Sequence, residues 1–138
     1  RAGTFGMDRF PGPDWIARYS QRVNADHEMA VVGRWLTLTF AVTFGAERYA
    51  FAMREGKVVD VIAGKTLDVR TPFGLRAPVE VWRKFLSPDP PPLFHDFFAM
   101  LMRVPDFVLE GDNLLVMQNA RALHRMMNIM RETGAPDA

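Results

Sequence analysis

The side chains that could carry out chemistry are few and scattered along the chain. The 138 residues contain no cysteine, which excludes thiolate catalysis, cysteine-based zinc sites and disulfide frameworks. The three histidines, His27, His95 and His124, lie in different segments, and no two of them have the four-residue spacing of helical metal ligands. Ser20 and Ser87 are the only serines, and neither lies in a nucleophile elbow. We therefore expect no metal, no cofactor and no nucleophilic catalysis.

The carboxylates leave one enzymatic alternative open. His95 and Asp96 are adjacent, so on a helix their side chains point about 100° apart and are not preset to hydrogen-bond each other. Glu110 and Asp112 flank Gly111 at a predicted strand end, where carboxylates could do acid–base work, but a helix cap at Asp112 is the simpler interpretation. A small isomerase or cyclase of the ketosteroid isomerase kind, with a buried carboxylate base, is the alternative hypothesis. Such folds usually end in long strands, whereas this sequence ends in a helical pattern.

Composition indicates one globular domain. The formal charge is +1 and 24% of the residues are charged, so nothing in the overall charge favours nucleic acid as a partner. Hydrophobic residues make up 49% of the chain, which is enough for one core. We predict an N-terminal arm over 1–12, a single domain over 13–132 and a loose tail over 133–138. Without an apolar run of about 18 residues or a signal-like start, we expect a cytoplasmic protein with no stable membrane insertion.

Hydrophobic periodicity in the first half predicts helices followed by an antiparallel meander. Pro13 and Asp14 suit the first turn of a helix, and Asp26 can cap a second, shorter one. Apolar residues then alternate with polar ones, which is typical of strands with one wet face. The predicted elements are helices over 13–24 and 26–33 and strands over 35–44, 49–53, 58–62 and 67–71.

The second half is mainly helical, and two of its helices carry more apolar surface than one core face requires. We predict helices over 78–86, 93–103 and 113–131, with a short strand over 107–110 between the last two. On helical wheels the apolar arcs of the last two helices span about 200° and about 180°, whereas a surface helix needs only about 100°. Asn119 lies inside the second arc, and a polar amide there requires a partner, either a nearby backbone group or the polar end of a ligand.

Three explanations of this surplus apolar surface remain open. Simple core packing is the most economical one. A cavity for a lipid-sized ligand is the second, and it is favoured by the methionines, six of which lie between Met100 and Met130, because methionine adapts to ligands of varied shape. A contact with a second copy of the chain or with a partner enzyme is the third.

The order of the elements resembles that of the sterol carrier protein 2 family. The resemblance is carried by Glu55, Gly56 and Lys57 at the second turn, by 67–69 in the fourth strand, and by 107–114, which is similar to the strand, Gly-Asp turn and helix start of that family. It implies an α+β fold with a five-stranded, mostly antiparallel sheet covered on one face by helices. It also implies a noncatalytic hydrophobic tunnel for a sterol, a fatty acid or an acyl-CoA. The tail lacks the peroxisomal tripeptide of eukaryotic members, so a bacterial member is expected.

We therefore predict a noncatalytic protein that binds or transfers an extended hydrophobic ligand, with burial of apolar area as the driving force. The predicted cavity walls come from one strand and the last two helices. They are Leu38, Phe40 and Val42 from the strand, Phe97, Phe98, Leu101 and Met102 from one helix, and Leu115, Asn119, Leu123, Met126 and Met130 from the other.

Overall fold

The chain forms a five-stranded sheet with helices packed against it. The computed structural model describes residues 10–64 and 70–134. In chain order the elements are α1 Pro13–Ala25, α2 His27–Val32, β1 Leu38–Phe44, β2 Glu47–Arg54, β3 Lys57–Ala63, β4 Phe73–Ala77, α3 Val79–Leu86, α4 Phe97–Arg103, β5 Val108–Gly111, α5 Asn113–Gln118 and α6 Ala120–Thr133.

The strand order is β3-β2-β1-β4-β5. The pairs β1–β2, β2–β3 and β4–β5 are antiparallel, and β1–β4 is parallel, with Ala41 opposite Gly74. The predicted α+β class with a five-stranded, mostly antiparallel sheet is confirmed. The predicted meander holds only for β1 to β3, since β4 returns to the other side of β1.

The fourth strand of the described residues is Phe73–Ala77, which was not predicted. The strand predicted over 67–71 lies mostly outside the described residues, since 65–69 are not among them. Phe73, Leu75 and Ala77 are buried and alternate with Gly74 and Arg76, so only three apolar positions mark this strand. A strand this short, paired in parallel with a distant partner, has no local turn to reveal it.

Aromatic side chains fill the space between the sheet and the helices. Phe44 of β1 contacts the Trp82 ring of α3 at 4.8 Å between centroids and the Trp15 ring of α1 at 6.0 Å. Tyr19 packs edge-on against Phe51 of β2. All five are buried, and such edge-to-face and tilted contacts are the preferred geometries of aromatic pairs. This aromatic layer fixes which face of the sheet the helices cover.

The predicted long C-terminal helix is interrupted. At Asn119 the backbone leaves the helical region, with φ −112° and ψ 22°, and α5 gives way to α6. The Asn119 side chain donates Nδ2–H to the carbonyl of Leu115 at 2.9 Å. Asparagine competes in this way for backbone groups inside helices, which explains the break. The apolar arc predicted over 113–131 therefore belongs to two helices.

The helix predicted over 93–103 begins four residues later than expected. Leu93 has a positive φ of 78°, and Asp96 caps the helix by accepting a hydrogen bond from the Phe98 N–H at 3.1 Å. The proline run before Leu93 cannot supply the N–H groups of a helical turn. Arg131 of α6 instead donates to the carbonyl oxygens of Phe94 and His95. Leu93 and Phe94 therefore leave the apolar arc of this helix, although the arc still extends over about 200° from Met100 to Met102.

The predicted limits of the arm, the domain and the tail stay predictions. Phe10, which falls in the predicted arm, is buried in the core and packs edge-on against Trp15 with 4.7 Å between ring centroids. At the other end Trp15 donates its indole N–H to the carbonyl of Gly134. Residues 1–9 and 135–138 lie outside the described residues.

Two glycines bring the β2–β3 turn against the loop after α2. Gly56 has φ 81°, and a Cβ there would lie 2.7 Å from the Gly33 carbonyl oxygen. Gly64 also has a positive φ, 89°, but a Cβ there would meet no atom of the described residues within 4 Å. An alanine would therefore have a strained backbone at both positions, but its methyl group would lack space only at Gly56.

We predict that Gly56→Ala lowers the free energy of unfolding by about 3 kcal/mol, and Gly64→Ala by only about 1 kcal/mol. Both variants place alanine at a positive φ, but only the first forces the turn away from Gly33. Urea denaturation of the two variants beside the wild type measures the difference. Equal losses would show that the close approach of the two glycines contributes nothing.

Candidate functional site

A groove runs between α2, the loop that follows it and the junction of α5 with α6. It consists of two adjoining cavities of about 340 Å³ and 240 Å³ that share Val32, Ala120 and Arg121. We call it the α2–α6 groove. Volumes of this order are typical of small-molecule sites. The other lining residues are Val31, Arg34, Trp35, Met117, Gln118, Asn119 and Ala122 in the larger cavity and Glu28, Phe98 and His124 in the smaller one.

The helix break at Asn119 creates the room for this groove. Asp112 begins α5 by accepting a hydrogen bond from the Leu115 N–H, and α5 then ends at Asn119, before it completes two turns. Ala120 and Ala122 follow at the start of α6, and their small side chains leave space where larger ones would fill the groove. The groove thus follows from the interruption of an apolar helix and from the alanines after it.

An ion pair holds the two sides of the groove together. Asp26 caps α2 by accepting from the Met29 N–H, and its carboxylate also accepts from Arg125 of α6 at 2.6 Å and 2.9 Å. Both side chains are less than one-fifth exposed. The hydrogen bond from Arg125 is the main cause that lowers the pKa of the Asp26 carboxyl, and burial opposes it. Arg125 also contacts Glu28 and Glu132, so it is fully compensated.

The smaller cavity is bounded by a contact between α4 and α6. The Phe98 and His124 rings are stacked, with 6.3 Å between centroids and 7° between planes. His124 Nδ1 lies 3.6 Å from Asp96 Oδ1, at the cap of α4. These contacts fix the wall of the groove that faces away from Trp35.

The predicted wall residues are distributed over four environments. Phe98 and Asn119 line the groove. Met102 is 83% exposed. Leu38, Leu101 and Leu115 are half-buried and pack against the core. The remaining six are at most 1% exposed inside the core: Phe40, Val42, Phe97, Leu123, Met126 and Met130.

Sequence reasoning missed the α2 side of the groove. The first strand was predicted over 35–44 and so included Trp35, but β1 begins at Leu38 and Trp35 lies in the preceding loop, 80% exposed. Val31, Val32 and Arg34 were not singled out either. A tryptophan on a strand face otherwise made of threonine and alanine was the available signal, because such a side chain is rarely left in water without a reason.

The candidate catalytic carboxylates have structural partners. Glu110 pairs with Arg76 at 3.3 Å, and both side chains are about half exposed. Asp112 caps α5, and Asp96 caps α4 beside His124. Within the part of the chain that the structure describes, no group of three or more His, Cys, Asp or Glu side chains could hold a metal ion. No helix in that same part is long and apolar enough to cross a bilayer.

The fold and the groove define a class: an α+β domain with a mixed sheet and, beside its C-terminal helices, a groove lined by apolar and polar side chains. The particular fold is that of sterol carrier protein 2. A crystal structure of sterol carrier protein 2 matches 86% of this chain and 94% of its own, with a TM-score of 0.71 and 14% identity. The sequence resemblance to that family is thus confirmed at the level of the fold.

Two further solved structures share this fold. A conserved hypothetical protein of Thermus thermophilus, described as a candidate sterol carrier protein, matches 94% of this chain and 92% of its own, with a TM-score of 0.68 and 18% identity. A protein described as UbiJ-SCP2, a ubiquinone synthesis protein, matches 83% and 90%, with a TM-score of 0.52 and 12% identity. No family model matches the sequence, and no curated protein does.

We predict that Asp26→Asn lowers the free energy of unfolding by about 2 kcal/mol at pH 7. Asparagine still caps α2, so the loss isolates the ion pair with Arg125. The folded pKa of Asp26 is lowered, so its stabilisation is present above the unfolded pKa of about 3.9 and is lost as pH falls through the folded value. The difference between wild type and variant should therefore vanish in acid.

Arg76→Gln is the matched control, because it removes an exposed ion pair and should change stability by less than about 0.5 kcal/mol. Denaturant titrations of all three proteins between neutral pH and about pH 2.5 provide the comparison. A deficit of Asp26→Asn that is unchanged in acid would contradict the assigned role of the carboxylate.

Proposed function

We propose that this protein binds and carries an extended hydrophobic ligand, a sterol, fatty acid or acyl-CoA, without transforming it. The observation that carries the proposal is the α2–α6 groove, which opens where a methionine-rich apolar helix is interrupted. The fold shared with sterol carrier protein 2 supports it. The caps and ion pairs that engage Asp96, Glu110 and Asp112 support a noncatalytic role, since each carboxylate already has a structural task.

In this proposal the groove is the entrance and the apolar layer below it accepts the ligand. Leu123, Met126 and Met130 follow the groove residues along α6 and are completely buried. Methionine side chains have three rotatable bonds, so they can yield to an apolar chain and repack when it leaves. Removal of the ligand from water supplies roughly 25 cal/mol for each Å² of apolar surface buried. The predicted wall residues are then the walls of the occupied state.

Two polar side chains of the groove can orient the polar end of the ligand. Asn119 donates Nδ2–H to Leu115, which leaves its Oδ1 to accept a hydrogen bond from a hydroxyl group. Arg121 lines both cavities and presents a guanidinium group that suits a carboxylate or a phosphate. A hydroxylated sterol and an anionic acyl chain would thus be held by different groups in the same groove.

The direct test is saturable binding to the delipidated protein. We expect a fluorescent fatty acid, a fluorescent sterol or both to bind with a change in emission and to be displaced by the unlabelled compound. Absence of saturable binding for both classes would overturn the proposal.

A blocking variant locates the site. Ala120→Trp should weaken binding by about tenfold or more, because an indole at this position fills the space shared by the two cavities. Ala17→Trp is the matched control, since Ala17 is exposed on α1 and lines neither cavity. Equal affinity of the Ala120→Trp variant and the wild type would place the ligand elsewhere.

A further inference from the structure

The rim of the α2–α6 groove carries an unusual set of exposed side chains. Trp35 is 80% exposed, whereas Trp15 and Trp82 are completely buried. Val31 and Met117 are about 60% exposed and line the same cavity as Trp35. Leu114, 65% exposed, lies three residues before Met117, on the same side of α5. We call Val31, Trp35, Leu114 and Met117, with Arg34 and Arg121, the docking face.

The two arginines give this face a positive charge. Arg34 donates to the carbonyl of Val31 at 3.0 Å, and its guanidinium lies 5.4 Å from the centre of the Trp35 ring. Arg121 lines both cavities. Neither arginine forms an ion pair with any described residue. No carboxylate lines the larger cavity, and Glu28 lines the smaller one with Arg121. The face therefore combines protruding apolar side chains with two arginines that are available to anionic groups.

This combination fits the surface of an anionic bilayer. Tryptophan favours the boundary between headgroups and acyl chains, where its ring is apolar and its N–H stays hydrated. Arginines beside it can contact the phosphates, and each basic residue near an anionic leaflet contributes about 1 kcal/mol. A symmetric contact between two copies is less favourable, because it would bring the arginines of both copies onto one interface.

We propose that the docking face binds the surface of an anionic phospholipid bilayer, with Trp35 at the headgroup level and the α2–α6 groove open toward the lipid. This inference rests on the carrier function and goes beyond it, because it assigns the place of loading and unloading to the rim of the groove. In this orientation an apolar ligand moves between bilayer and groove without crossing bulk water.

The experiment uses the whole chain, without added ligand, and vesicles of phosphatidylcholine with or without phosphatidylglycerol. We expect cosedimentation with the anionic vesicles only, weakening with added salt because salt screens the arginines. On binding, the emission of Trp35 should shift to shorter wavelength and be quenched by lipids brominated on their acyl chains. The Trp35→Phe variant should lose this signal, since Trp15 and Trp82 are already buried.

Matched variants test whether the docking face is responsible. Trp35→Ser should weaken vesicle binding by about tenfold, and Arg34→Gln and Arg121→Gln by about fivefold each. Val31→Ser should weaken it, whereas Val59→Ser should not, although the two valines are equally exposed. Arg22→Gln on α1 is the control for charge. Circular dichroism and thermal melting verify that each variant is folded.

Three results would overturn the docking proposal. These are no binding of the wild type to anionic vesicles, binding that the Trp35 and arginine substitutions leave unchanged, or a dimer in solution that the same substitutions dissociate. The carrier function is judged separately, by probe binding without vesicles. If the wild type binds the fluorescent probe but not the vesicles, only the membrane-docking proposal is refuted. If it binds the vesicles but not the probe, only the proposed carrier function is refuted.

Discussion

The burial of α6 on several sides is the constraint on which the rest of the structure depends. This helix packs against α1, α2 and α3, and its apolar side chains belong to the same core as those of the sheet. Polar contacts fix it in the middle and near its C-terminal end: Asp26 binds Arg125, Tyr19 donates to the carbonyl of Met126, and Arg131 donates to the carbonyl of Phe85. A helix so enclosed needs a wide apolar arc merely to satisfy its neighbours. Most of the surplus apolar surface predicted for it is therefore used in packing, and the groove arises only where α6 begins, at the break after α5.

Features that depend on neighbouring residues could be predicted from the sequence, and features that depend on distant partners could not. The caps at Asp26 and Asp112 and the alternation along β1 and β2 follow from contacts within a few residues, and all were predicted. The position of β4 depends on a parallel pairing with β1, and the start of α4 depends on the carbonyl groups that Arg131 binds from a distant helix. The first has no local signal, whereas the cap at Asp96 was a local signal for the second and was missed. Asn119 was recognised as a polar residue on an apolar face, but its effect on the helix was missed.

The candidate site shows the same limit. A helical wheel identifies which side chains leave water, but it cannot distinguish a side chain that faces another protein atom from one that faces a ligand. Phe98 and Asn119 were predicted as wall residues and line the groove, whereas Met126 and Met130 lie in the packed layer beneath it. Trp35 was assigned to a strand because the alternation continues through it. Its exposure depends on the loop that Gly33 and Gly56 hold in place, and this contact joins residues more than twenty positions apart.

These features describe a packed layer of apolar side chains beneath the α2–α6 groove. The central claim is that this layer opens to admit an extended hydrophobic ligand. Native mass spectrometry of the protein taken directly from cells is the most direct test of that claim. The account predicts a population heavier than the chain by the mass of an apolar small molecule, which organic extraction removes and added lipid restores. A single species at the mass of the bare chain, unchanged after incubation with sterols and fatty acids, would contradict it.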